Sequence, residues 1–163
     1  MSSIEVSLKE LRPMRIVSFH GFGSEPEGIA LSAMFEWATK HDYFTQKNTR
    51  CFGFNNPDPT PGSTNYGYEV WLVIPEDMTV EDLPVKQFEG GLYAVANCHG
   101  NVEEAGSFIP STWKKLVEWV ENSPYQTGKH QWLEEQFPSD GLTLPEMNAR
   151  GKLCLDLYLP VRK

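Results

Sequence analysis

Tyr66-Gly67-Tyr68-Glu69-Val70-Trp71-Leu72-Val73-Ile74-Pro75 is the stretch from which the fold is read. Aromatic and β-branched residues crowd Tyr66 to Ile74, and Pro75-Glu76-Asp77 ends the run, as expected of a strand that stops where the ladder loses a donor. Its last four residues, Leu72-Val73-Ile74-Pro75, return as Leu157-Tyr158-Leu159-Pro160 near the end of the chain. Working outward, Phe35-Glu36-Trp37 returns as Val117-Glu118-Trp119, Tyr43 as Tyr125, and His20-Gly21 as His99-Gly100. Common order and nearly constant offset indicate an internal duplication of a strand-helix-strand-strand unit. The expected fold is α+β: two such units forming one antiparallel sheet, two main helices packed on it, and a central ligand groove at their junction. Residues 1–163 then make a single domain with pseudo-repeat halves of about 1–80 and 81–163.

The remaining elements fit this plan. Met14 to Phe19 alternates as a half-buried strand, with a break at His20-Gly21-Phe22-Gly23. Ser24-x-x-Glu27 has the capping-box pattern with Pro26 in the first turn, and Ala30, Ala33, Met34, Trp37 and Ala38 share a helical face that ends near His41 to Tyr43. Thr49 to Phe54 is a short strand before the Pro/Asn/Gly loop Asn55 to Ser63. Val85 to Phe88 and Gly91 to Cys98 are strands; Ile109, Trp113, Leu116, Val117 and Val120 mark a second helix with Pro110 in its first turn. Trp132 to Phe137 is a strand, Pro138 to Gly151 a loop, and Leu153 to Val161 the closing strand.

Charge and composition narrow the function. A length of 163 residues with 40% hydrophobic and 12% aromatic content buries a full core. With 22 acidic against 14 basic residues, the net charge of -8 repels a phosphate backbone, so nucleic acid is not an expected direct partner. Cys51, Cys98 and Cys154 show no paired spacing, which excludes a zinc ribbon or a disulfide framework and fits reducing cytoplasm. No stretch approaches the ~20 apolar residues of a membrane span. No cofactor and no metal is expected, because the four histidines lack ligand spacing. Gly21-Phe22-Gly23 lacks the lysine and further glycines of a phosphate loop. Cys98 and His99 are adjacent on a strand and point to opposite faces, unlike a nucleophile and its base.

Two carboxylate positions stand out. Trp132-Leu133-Glu134-Glu135 sets two glutamates among apolar residues on a strand, where a buried carboxylate must be paired, protonated or facing a cation. Residue types alone also allow both to reach water at the strand edges. Glu69 shares a strand face with Trp71, whereas Tyr68 and Val70 point to the other; which face lines a groove is not readable, and a structural role for Glu69 as acceptor for the Asn55-Asn56-Pro57 segment stands beside a ligand role.

The ordered set Phe52-Gly53-Phe54-Asn55-Asn56-Pro57, Tyr66-Gly67-Tyr68-Glu69-Val70-Trp71 with Pro75-Glu76, Gly90-Gly91-Leu92-Tyr93-Ala94-Val95, Trp113 with Glu118-Trp119, and Leu133-Glu134 resembles the gyrase-inhibitor-like effector-binding domains. This family includes the ligand-sensing C-terminal domains of multidrug regulators of the MerR and AraC types. The resemblance covers nearly the whole chain and implies the duplicated fold, a groove for amphipathic, often cationic molecules, and a buried glutamate at Glu134. Glu135, facing the other way, is then expected in solvent. The tyrosine usual two positions later is Gln136 here, which puts a tyrosine-assisted role in doubt.

The resemblance also implies a division of labour. Glu134, Trp71, Glu69, Tyr68, Phe52, Tyr93 and Trp113 are the expected ligand-binding residues, the aromatics as stacking walls and Glu134 as charge partner. With no room for a helix-turn-helix, the chain is expected to sense or sequester its ligand, or to act through a protein partner such as a transcription regulator or gyrase. Should it instead be an enzyme, the resemblance implies a hydrolase of reactive cyclopropane-type compounds, with Glu134 and Glu69 as candidate catalytic groups whose like charges would split their pKa values.

Overall fold

The computed structural model describes residues 4–41, 50–136 and 144–163. Its elements are β1 (Ser7–Leu11), β2 (Met14–Gly23), α1 (Pro26–Lys40), β3 (Cys51–Asn55), β4 (Tyr66–Val73), β5 (Lys86–Phe88), β6 (Gly91–Asn101), α2 (Ala105–Glu121), β7 (Gln126–Thr127), β8 (Leu133–Gln136), α3 (Leu144–Ala149) and β9 (Lys152–Arg162). The fold is α+β, with the two main helices α1 and α2 packed on antiparallel strands. The chain forms two compact units, one of residues 13–88 and one of residues 1–12 with 89–163.

Within the first unit the strands run β3-β4-β2-β5, and within the second β8-β9-β6-β1, with β7 also paired to β9. Each unit therefore contains strand, helix, strand and strand, the last flanked by the other two, as the duplication requires. The registers agree as well. His20 pairs with Glu69 and Val17 with Leu72; at the same spacing His99 pairs with Cys154 and Ala96 with Leu157. The edge strands are exchanged. β1 precedes β2 in the chain but pairs with β6, and β5 precedes β6 but pairs with β2.

Each helix covers one face of its unit's strands. Ala30, Met34, Trp37 and Ala38 are the buried stripe of α1 with Pro26, and Phe19 of β2 meets Trp37 at 6.0 Å between ring centroids. Gly21 is required there, since a Cβ would lie 2.4 Å from the Pro26 carbonyl oxygen. Leu116 and Val120 of α2 close on Ala94, Ala96, Cys98, Leu155, Leu157, Leu159 and Val161. Alternation of side chains then sends the intervening residues of the same strands to the opposite face.

Several local expectations change. The strands β2 and β6 run through both His-Gly pairs to Gly23 and Asn101, because each pair has a partner on the ladder. The Ser24-x-x-Glu27 capping box does not form: Glu25 is the N-cap, without a side-chain cap bond, and Pro26 opens the helix. Pro110 lies inside α2 rather than in its first turn, since the helix starts at Ala105. The carbonyl that Pro110 cannot bond belongs to Gly106, an exposed residue, so water can satisfy it. A short helix, α3, occupies part of the expected loop before β9. Tyr43, Thr49 and Phe137 lie outside the described residues.

Candidate functional site

On the face of the 13–88 unit opposite α1, Ser18 and His20 of β2, Phe52 and Phe54 of β3, and Glu69 and Trp71 of β4 stand together by register. Glu69 accepts hydrogen bonds from Ser18 Oγ at 2.8 Å, Trp71 Nε1 at 2.6 Å and Asn56 Nδ2 at 3.1 Å. The Trp71 ring lies 4.8 Å from that of Phe54 and 5.2 Å from that of Phe88. His20 Nε2 bonds the Asn56 carbonyl at 2.7 Å, so the Asn-Pro loop is fastened at two points. The result is a half-buried carboxylate set into an aromatic wall.

Burial pushes the Glu69 carboxyl up, but the bonds from Trp71, Ser18 and Asn56 and the charge of Lys86 outweigh it and hold the group below its ordinary 4.5. A carboxyl whose folded value lies below its unfolded one stabilises the fold above the unfolded value and loses that contribution as pH falls through the folded one. Glu69→Gln is therefore expected to flatten the acid limb of stability below pH 4.5, read by urea unfolding at stepped pH. An unchanged limb would show that the three donors contribute nothing to the ionised form.

On the face of the other unit opposite α2, Tyr93 and Val95 of β6 stand with Tyr158 and Asp156 of β9 and with Leu133 and Glu135 of β8. Tyr158 donates its hydroxyl to Glu135 Oε1 at 2.7 Å. Tyr93 packs edge-on against Tyr158 at 5.6 Å and donates to the Gln131 carbonyl at 3.0 Å; burial pushes its phenol well above the usual value, which keeps it a neutral donor. The polar end of this face holds Asp156, bonded by Asn97 Nδ2 at 3.1 Å and 3.8 Å from Lys9 Nζ.

Glu135 is thus corrected. Expected in solvent, it is 6% exposed, and its neighbour Glu134 is the more open of the two. The reason lies in the ladder. Leu133 pairs with Tyr158 and Glu135 with Asp156, so both turn to the face opposite α2, whereas Glu134 pairs with Leu157 of the core under α2. There Glu134 Oε2 accepts from Trp113 Nε1 at 3.1 Å.

The structure accordingly divides the expected ligand residues among four places. Glu69, Trp71 and Phe52 share one face. Tyr93 joins Glu135 and Tyr158, neither of which was among the expected ligand residues. Trp113 and Glu134 meet on the helix side, across the strands from Tyr93. Tyr68, 4% exposed, turns toward the α1 side. The ladders give the reason: Leu72 and Leu157 are repeat counterparts, Phe52 pairs with Trp71 just before the first, and Glu135 pairs with Asp156 just before the second. The duplication therefore puts Glu135, rather than Glu134, at the position of Phe52.

Comparison with curated proteins gives no match. Among solved structures the chain is similar to the EcmrR C-terminal domain, with 11% identity, TM-score 0.62, and coverage of 98% of each chain. It is also similar to a hydrolase from Listeria innocua, with 13% identity, TM-score 0.60, and coverage of 99% of this chain and 94% of that one. A third likeness is to SAV2435 bound to tetraphenylphosphonium, with 12% identity, TM-score 0.57, and coverage of 98% and 94%. At such identities the likeness is one of fold. Over residues 7–161 the sequence matches the profile of Cass2, described as integron-associated effector binding protein, and the chain belongs to that family.

Proposed function

We propose that the protein binds amphipathic organic cations on the aromatic strand faces opposite α1 and α2, in drug sensing or sequestration within the cytoplasm. The observation that carries this reading is Glu135, a carboxylate withdrawn from water beside Tyr158 and Tyr93. An ionised group in that setting has given up hydration, and a poorly hydrated cation offsets the loss while stacking on the rings. Glu69 with Trp71, Phe54 and Phe88 supplies a second carboxylate in aromatic surroundings. SAV2435, which shares the fold, is bound to a lipophilic cation of this class.

Titration with tetraphenylphosphonium, followed by tryptophan fluorescence and by calorimetry, tests the proposal. Saturable binding that a neutral tetraphenyl analogue does not reproduce is expected; equal affinity for the two would remove the charge partner from the account.

A second reading is favoured by the Tyr158–Glu135 pair itself, which sets a proton donor and an acceptor 2.7 Å apart, an arrangement able to assist water addition to a strained electrophilic ring. The Listeria innocua hydrolase shares the fold. Multiple turnovers of a cyclopropane-type compound, lost in Glu135→Gln, would select this reading. Stoichiometric binding without product selects the sensor.

A further inference from the structure

The ladder between β6 and β9 sets His99 directly opposite Cys154 and Asn97 opposite Asp156. Cys98 and His99, neighbours in sequence, face opposite ways, so the thiol that stands beside His99 comes from the other strand. Directly opposed residues have Cβ atoms about 4.5–5.5 Å apart, a spacing across which a thiol and an imidazole meet. Cys154 is half-exposed and not disulfide-bonded, whereas Cys51 and Cys98 are buried. Asn97 and His99 are exposed, so their arrangement is not a demand of the core.

Asn97 joins the pair and assigns its protons. The Asn97 Nδ2 donates to the Leu155 carbonyl and to Asp156 Oδ1, each at 3.1 Å, and lies 3.9 Å from Cys154 Sγ. Both of those oxygens accept, which orients the amide and turns its Oδ1 to His99 Nδ1 at 3.2 Å. An amide oxygen cannot donate, so Nδ1 carries the imidazole proton and Nε2 is left as the basic nitrogen. Charged groups of both signs border the pair: Asp156, 3.8 Å from Lys9 Nζ, Glu135 opposite Asp156, and Lys152 two residues before Cys154. Helix α3, which packs on β9, adds Glu146 and Arg150.

We propose that Cys154, His99 and Asn97 form a covalent modification site for soft electrophiles of the α,β-unsaturated carbonyl class, with Cys154 as nucleophile, His99 as its base and Asn97 as the residue that positions His99. The thiol proton passes to His99 Nε2 as sulfur bonds the β-carbon of the acceptor. The carbon–carbon π pair moves onto the conjugated carbonyl as an enolate, and the imidazolium then returns the proton to the α-carbon. No group departs, no oxidant or reductant is consumed, and His99 ends neutral. An addition of this kind requires one nucleophile and one proton carrier, which these residues supply. The site does not depend on the cation-binding reading, which uses Glu135, Tyr158 and Tyr93.

The test is alkylation of the intact folded protein with acrylamide, the modified cysteine being identified by peptide mass spectrometry and the rate compared with that of glutathione. Cys154 is expected to be modified first, since Cys51 is buried and the Cys98 thiol is pushed up to about 12, by burial first and by Glu134 next. Labelling is lost in Cys154→Ser. His99→Gln slows it about tenfold at about pH 7 and matches the wild type at about pH 9.5, where hydroxide itself makes the thiolate. Asn97→Ala gives part of the same loss, and Asn97→Asp, which keeps an acceptor for Nδ1, restores the rate. A wild-type rate in His99→Gln at neutral pH overturns the site. So does a loss of equal size at both pH values, which would mark a change of exposure rather than of base, or modification of Cys51 or Cys98 ahead of Cys154.

Discussion

Exchange of Glu135 for glutamine is expected to weaken binding of tetraphenylphosphonium about thirtyfold, a loss of about 2 kcal/mol, while a neutral tetraphenyl analogue binds as before. Two unit charges about 4 Å apart attract by about 4 kcal/mol at the effective dielectric constant of a protein surface, and part of that offsets desolvation of the cation. Glutamine keeps the shape of the side chain and an oxygen that can accept the Tyr158 hydroxyl, so the fold should survive; unchanged near-UV circular dichroism would verify this. Glu134→Gln serves as the contrast. Its carboxylate bonds Trp113 on the other side of the strands, and its removal should leave phosphonium affinity intact. The reverse pattern, with loss at Glu134 and none at Glu135, would reinstate the partner that the family resemblance suggests and discard the one that burial suggests.

The largest stability effect is expected at Gly90. Its φ of 80° is left-handed, and a Cβ there would lie 2.1 Å from the Leu11 carbonyl oxygen, a backbone atom that cannot swing aside. Left-handed strain costs about 1–3 kcal/mol and forced overpacking a similar amount, so Gly90→Ala should lose about 3 kcal/mol or more. In a chain of this size that corresponds to a fall in Tm of about 6–12 °C. Gly62 isolates the two contributions: its φ is 82°, but a Cβ there would meet nothing within 4 Å, and Gly62→Ala should therefore show the strain alone. Equal losses for the two substitutions in thermal unfolding would mean that the Leu11 contact yields without cost. The position matters because Gly90 leads into β6, where Leu11 pairs with Gly91 at the end of the exchanged edge strand β1.

The duplicated frame was legible because it is a matter of period and echo. Leu72-Val73-Ile74-Pro75 with its counterpart at Leu157 to Pro160, and the two His-Gly pairs, specify the same ladder register in both units. The helix stripes were equally plain, since Ala30, Met34, Trp37, Leu116 and Val120 recur at helical spacing and each has a sheet beneath it. Local ends were less plain. Ser24-x-x-Glu27 has the residues of a capping box, but Pro26 preorganises the first turn one residue after Glu25, and the box has no place to form. In α2 the apolar signal starts at Ile109, whereas hydrogen bonding carries the helix back to Ala105.

The candidate site shows the division most clearly. Sequence alone established that Glu134 and Glu135 point opposite ways, that Glu69 travels with Trp71, and that aromatic strands surround them, because a strand's period of two is a local property of the backbone. Which face each member of a pair occupies was decided by tertiary structure. Burial of Glu135 depends on Tyr158 and Asp156 standing opposite Leu133 and Glu135 across a ladder, and the core role of Glu134's neighbours depends on α2 lying over Leu157. Those contacts join residues far apart in the chain, and in β8 the buried positions are Leu133 and Glu135, so an apolar residue and a carboxylate share the buried face and no hydrophobic alternation marks it.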